Sequence, residues 1–130
     1  FIEAQDPIYH KVCLELEQGF KMSHWMWFIF PQMEGLSLSA TSRKFSISSL
    51  EEASAYLSHP ILGSRLEECT RLVTNVSGRT IKQSLGPIDS IKFRSSMTLF
   101  IHATTENQLF EDALLKYYSG QYDPLTLAKL

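Results

Sequence analysis

The chain has 130 residues, the length of a single domain with room for one sizeable core. Hydrophobic residues at 44%, charged at 20% and aromatic at 12% exclude a disordered tail, a collagen-like repeat and a disulfide-dense secreted scaffold. Twelve basic against fourteen acidic residues leave a net charge of −2, so the totals give no general attraction to nucleic acid or anionic lipid, and any anion site must be local.

Asp6-Pro7 reads as a side-chain cap followed by proline at the first helical position, and Ile8, Val12 and Leu16 recur at helical spacing until Gly19, which predicts a helix over 7–18. From Lys21 to Gly35 the residues follow neither a period of two nor one of 3.6 and read as an irregular or short buried segment. Ser39 to Ser46 suits a short helix, and Ser49-Leu50-Glu51-Glu52 is a capping box opening a helix from Leu50 to about Leu57. His59-Pro60 restarts the chain, and Leu62, Leu66, Cys69, Val73 and Val76 form an apolar stripe. Gly63 interrupts that helix and points to close approach by another backbone or a ligand. Thr80 to Leu85 predicts a short helical segment, and Asp89 caps a helix over Ser90 to Thr104. Thr105 to Gln108 reads as a second capping box, and its helix stops at Gly120; Asp123-Pro124 repeats the cap-and-proline device for a last helix. The expected fold is mainly α, one compact orthogonal domain over 1–130 with about six to eight helices. Trp25–Phe30 and Phe45–Ile47 are the two stretches able to form short strands.

Cys13 and Cys69 have neither CxxC spacing nor a neighbouring His cluster, so they predict two reduced core thiols and no metal site. The longest apolar run, Trp25 to Pro31, falls far short of the roughly 18–20 residues a bilayer crossing needs, and a cytoplasmic protein without membrane contact is expected.

Three groups have the chemistry to hold a ligand. In HWMWFIFPQ, residues 24–32, Trp25 and Trp27 offer faces for a planar ring, with His24 and Gln32 to read its edge; the alternative is that Trp25, Phe28 and Phe30 only fill the interior. Lys92, Ser95 and Ser96 stand at i, i+3 and i+4, with Arg94 beside them, and read either as an anion cradle or as small residues making room for packing beside a surface charge. Arg43, Lys44, His59 and Arg65 form the third group, in which Arg65 either pairs a carboxylate across helices or grips a phosphate, while His59 fits a helix start. No nucleophile elbow, P-loop, HExxH or GxGxxG is present, and no cofactor is expected. Acid–base chemistry would fall to Asp89, Glu34, Glu68 or Asp123 with His24 or His59. No helix carries an outward run of Arg, Lys, Asn and Gln, which disfavours sequence-specific nucleic-acid binding.

HWMWFIFPQMEGL, AYLSHPILGSRLEEC, DSIKFRSSMTLF and YYSGQYDPLTLAKL together resemble the domain-of-unknown-function 1810 family over nearly the whole chain. A fainter pattern, carried by Ala55, Leu62-Gly63, Arg65, Lys92, Met97, Leu114-Leu115 and Gly120, is similar to the YbiA-like or NADAR proteins, with His24 or Gln32 in place of that family's acidic residue. This second resemblance implies a nucleotide-like or ribosylated ligand of the NAD or ADP-ribose type and, if the protein is catalytic, N-glycosidic hydrolysis; the residues expected to hold the ligand are His24, Trp25, Trp27, Gln32, Arg65, Lys92, Arg94, Ser95 and Ser96. The competing expectation is a non-catalytic helical protein-interaction or regulatory module.

Overall fold

Capping and backbone geometry break the chain into more pieces than its apolar periodicity suggests. The computed structural model describes residues 1–37 and 39–130. Among these lie ten helices: α1 (Ile2–Gln5), α2 (Tyr9–Gln18), α3 (Met26–Ile29), α4 (Ala40–Phe45), α5 (Leu50–Ser58), α6 (Leu62–Thr74), α7 (Ile81–Leu85), α8 (Pro87–Ala103), α9 (Gln108–Tyr118) and α10 (Pro124–Leu127). The excess over eight comes from α1 and α3, each of four residues and too short to show a period. Trp25–Phe30 is not a strand, because Met26–Ile29 closes a helical turn within it. Phe45 ends α4, and the one bridge among the described residues is an isolated parallel pair, Met33 with Ile47.

Local chemistry explains most boundaries. Gly19 adopts the left-handed φ of 67° and ends α2, its N–H donating to the Glu15 and Leu16 carbonyls. The Asp6-Pro7 start does not form; Asp6 pairs instead with Arg65 at 2.8 Å, and α2 begins at Tyr9 without a side-chain cap. Ser49 Oγ accepts the Glu52 N–H at 3.1 Å, while the Glu52 carboxylate turns to the Ser48 N–H, so the expected box closes on one side only. A full box occurs at Thr80 and Gln83, heading α7. The box at Thr105 is absent: Asn107 donates its amide to the Ile101 and Thr104 carbonyls, stopping α8 rather than starting α9. Asp89 is likewise no cap, since α8 starts at Pro87 and Asp89 lies in its first turn.

His59 heads α6, its Nδ1 accepting the N–H groups of Ile61 and Leu62 at 3.2 Å each. Gly63 seats α6 against α5, for a Cβ there would lie 2.1 Å from the Leu57 carbonyl oxygen. Around these helices a single buried cluster runs from Val12 to Leu114. The long helix α8 lies against α5, α7, α9 and α10, and apolar residues cover so much of it that Phe93, Met97, Leu99, Phe100 and Ile101 are all buried. Phe30 meets Phe93 edge to face at 5.0 Å between centroids. Burial of each such ring contributes about 1.5–3 kcal/mol.

Both cysteines are free thiols. Cys69 is buried and Cys13 half-buried, at the seam where Tyr9 donates to Glu68 at 2.5 Å and Cys13 lies 3.5 Å from the same oxygen. No described helix is long and apolar enough to cross a membrane. Among the described residues, no group of three or more His, Cys, Asp or Glu is placed to hold a metal ion.

Candidate functional site

The aromatic segment is anchored from behind by a residue that periodicity does not single out. Glu15, on the buried side of α2, has Oε1 within 2.7 Å of the Met22 N–H, 3.0 Å of the Ser23 N–H and 3.0 Å of the Trp25 indole N–H, while Ser23 Oγ donates to Oε2 at 2.8 Å. Burial works against the carboxylate, but these donors together outweigh it and hold the group below its usual pKa. The consequence is that Trp25 is fully buried, with no open face for a ligand to stack on. His24, two residues on from the Glu15-bound Met22, is exposed.

Trp27 is half-buried, and the ammonium of Lys92 sits 3.4 Å from its ring centroid. Lys92 also pairs with Asp89 Oδ1 at 3.3 Å, and Asp89 Oδ2 pairs with Lys21 at 2.7 Å. One carboxylate in the first turn of α8 therefore orients two lysines, and Lys92 is held over the indole.

From there a cleft of about 250 Å³ opens between α8, the loop after α3 and α10. Its polar groups are Gln32, Ser37, Lys92, Ser95 and Asp123, and its walls are Leu36, Ile88, Ile91 and Leu125. Ile88, Ile91, Lys92 and Ser95 share one face of α8 because they recur at i, i+3, i+4 and i+7. Gln32 is fixed through its backbone, whose carbonyl accepts the Ile47 N–H at 2.9 Å.

Asp123 is 8% exposed and enters as the N-cap of α10. Its Oδ2 takes Ser95 Oγ at 2.9 Å, Thr126 Oγ1 at 2.5 Å and the Thr126 N–H at 3.2 Å, whereas Oδ1 accepts no hydrogen bond among the described residues. Its backbone N–H donates to Thr98 Oγ1 at 3.0 Å. Arg94 fastens the preceding residues, donating from Nε to the Gln121 carbonyl at 3.0 Å and from Nη2 to the Tyr122 carbonyl at 2.7 Å.

Of the nine candidate residues, then, Gln32, Lys92 and Ser95 converge on one cleft. Arg94 braces it from behind; Trp27 adjoins it under Lys92. Arg65 is elsewhere, pairing with Asp6, donating to Gln5 Oε1 at 3.2 Å and stacking 4.7 Å over Tyr9. Ser96 is fully buried and its hydroxyl has no hydrogen-bond partner among the described residues. Lys92, Ser95 and Ser96 do not form one cradle, because a helix face wide enough for Lys92 and Ser95 turns Ser96 inward. Leu36, Ser37, Ile88, Ile91 and Leu125 complete the site without having been singled out for it; Asp123 is one of four carboxylates suited by sequence to acid–base chemistry and a helix start by its Asp-Pro pattern, but nothing in its spacing links it to Ser95.

With this geometry in view, the family model described as "Protein of unknown function (DUF1810)" matches residues 1–130. The chain belongs to the DUF1810 family. It is similar to the conserved hypothetical protein Rv1873 from Mycobacterium tuberculosis, known from a crystal structure, with 53% identity, a TM-score of 0.99, and coverage of 100% of this chain and 93% of that one. The two structures thus superimpose along their shared length. No curated protein matches the chain.

Proposed function

We propose that the cleft between α8 and α10 binds a nucleotide-like, ribosylated ligand and supports hydrolysis of its N-glycosidic bond. The observation that carries this reading is the convergence of Gln32, Lys92, Ser95 and Asp123 on one apolar-walled cleft. Apolar walls suit a base or the less polar face of a ribose, Gln32 offers both a donor and an acceptor to a heterocycle edge, and Lys92 supplies a cation. The pattern similarity to NADAR proteins adds Lys92 to the same reading.

Asp123 is the carboxylate suited to the chemistry. In hydrolysis the C1′–N bond breaks with its electron pair moving to the departing base, a water oxygen bonds to C1′, and one water proton must be taken up as the base gains another from solvent. Oδ2 is committed to Ser95 and Thr126, which fixes the group's orientation, and Oδ1 is left to face the developing positive charge on the ribose and to accept the water proton.

The test is a thermal-shift series with adenosine, AMP, ADP-ribose and NAD, followed by chromatographic assay for released base. A ligand at about 100 times its Kd adds about 2.7 kcal/mol and raises Tm by several degrees. Lys92→Ala is expected to abolish the shift while remaining folded, and Asp123→Asn to keep the shift but lose turnover. Ligand shifts without release of base from the wild type would leave binding and refute hydrolysis; the absence of any shift would refute both.

A second reading has its own observation. Ile88, Ile91 and Leu125 are 68%, 65% and 67% exposed around the cleft mouth, as a helical interaction module would present them. Lys92→Ala separates the readings: on the ligand reading it abolishes small-ligand shifts, whereas association through Ile88, Ile91 and Leu125 leaves partner binding in place.

A further inference from the structure

The cleft does not end at Ser37. That residue also lines a second cavity of about 340 Å³, shared with Glu34, Gly35, Arg43, Ser46 and Lys129. The two cavities thus share Ser37 of the loop before α4, one forming an apolar arm over α8 and the other a polar arm lined by Arg43 of α4 and Lys129 after α10. Two cations from distant parts of the chain reach the polar arm. Arg43 comes from the last turn of α4, and Lys129 from just after α10.

Neither cation makes an ion pair among the described residues, although Lys21, Lys92, Arg65 and Arg71 all do. Glu34 shares the cavity but lies within 4.0 Å of neither. Two positive charges facing one cavity repel each other at modest cost in solvent, and a doubly charged anion between them converts that repulsion into attraction. Gly35 admits the lysine: with φ of +85° and no side chain, it leaves room for Lys129, whose Nζ would stand 2.7 Å from a Cβ at that position. The Ser37 and Ser46 hydroxyls line the same arm.

We infer that this polar arm is a phosphate subsite, in which Arg43 and Lys129 hold the phosphate or pyrophosphate of a ligand whose nucleoside or ribose lies in the apolar arm. This rests on the proposed function for its ligand class and adds where the charged end is bound. The guanidinium offers paired donors to phosphate oxygens, and the ammonium acts as a point charge beside them.

Isothermal titration of the full chain with adenosine, AMP, ADP-ribose and inorganic pyrophosphate tests it, with Arg43→Ala/Lys129→Ala and Lys92→Ala compared with the wild type. The expected result is that AMP or ADP-ribose binds about tenfold or more tightly than adenosine, and that the Arg43→Ala/Lys129→Ala protein loses this preference while its adenosine affinity is unchanged. Both exchanged residues are exposed, so folding is retained, as an unchanged Tm verifies. A preference for phosphorylated ligands that survives in the double variant overturns the subsite, as does equal affinity for adenosine and AMP in the wild type with Lys92→Ala still destroying both; the nucleoside reading then stands alone. Pyrophosphate binding lost in the double variant, without adenosine binding to the wild type, upholds the anion site and overturns the nucleoside reading. Binding of none of the four overturns both.

Discussion

Glu15→Gln probes the anchor behind the aromatic segment. In the wild type one carboxylate accepts four hydrogen bonds, three at Oε1 and one at Oε2. A glutamine of the same shape keeps an oxygen at the Oε1 position and puts an amide where Oε2 was, toward Ser23 Oγ, which turns to accept. Geometry survives and charge assistance is lost. Hydrogen bonds to charged groups contribute about 1.5–3 kcal/mol against about 0.5–1.5 for neutral ones, and partial compensation across a shared acceptor brings the expected loss to about 2 kcal/mol at neutral pH. In a domain of this size that lowers Tm by roughly 6–10 °C. Glu15→Ala costs more, because three N–H groups including the buried indole are left without an acceptor. The pH dependence follows from linkage. The folded-state pKa of Glu15 lies below its ordinary 4.5, so its contribution is complete above that value and is lost as pH falls through the folded pKa. Urea denaturation of wild type and Glu15→Gln at a series of pH values should therefore show a stability gap that is constant above about pH 5 and closes in more acid solution. A gap that does not change on acidification, or a Gln variant as unstable as the Ala variant, would refute the account of Glu15 as an ionised acceptor.

Gly63→Ala forces a Cβ to within 2.1 Å of the Leu57 carbonyl, so α5 and α6 must separate; despite the roughly 1 kcal/mol that alanine gains in a helix, a net loss of about 2 kcal/mol is expected in urea denaturation. Cys13 should react with iodoacetamide at neutral pH faster than Cys69, because the neighbouring Cys69 thiol lowers its pKa and it is half-buried, whereas contact with Cys13 and burial raise the pKa of the fully buried Cys69; mass mapping of the first modified thiol checks this. Arg94→Ala frees the Gln121 and Tyr122 carbonyls and is expected to weaken ligand binding while adding hydrogen-exchange rates at 121–127, and an unchanged exchange pattern there would show that the clamp is redundant.

How much of this was readable in advance depends on whether the cause is local. Gly19, Ser39, Ser49 and the Asp123-Pro124 pair act within one turn of the chain, and each sits at the helix end that its chemistry predicts. Asp6 and Asp89 have the same local credentials, yet neither caps a helix, because Arg65 and the pair Lys21 and Lys92 attract them more strongly than the nearby backbone amides. Trp25 shows the same limit at the site. Its composition fits a stacking platform equally well, and what decides its burial is Glu15, ten residues away on another helix. Lys92 and Ser95 were legible as an interruption of a bulky helix, and Gln32 as a polar end to an aromatic run. Asp123 stood among four candidate carboxylates, but its place in the cleft was not legible, since its partner Ser95 lies 28 residues earlier and no periodicity spans that distance.

The neighbours Arg94 and Ser95 show how the cleft acquires its carboxylate. Successive residues on a helix project about 100° apart, so the two side chains meet the returning chain at different places. Arg94 takes the carbonyls of Gln121 and Tyr122, and Ser95 takes the carboxylate of the next residue, Asp123. Thr98, one turn further along α8 from Arg94, receives the Asp123 N–H. Three consecutive residues of an otherwise irregular connection are thus bound by one stripe of α8, and the carboxylate is ordered before any ligand arrives. For the proposed hydrolysis, such preorganisation would supply what stabilising a cationic transition state requires, because no reorganisation is left to be done when charge develops. A capping role alone would be met by the Thr126 N–H contact; the additional contacts from Arg94, Ser95 and Thr98 fix where Asp123 stands relative to Lys92 and Gln32, which is what the proposed reaction in the cleft would use.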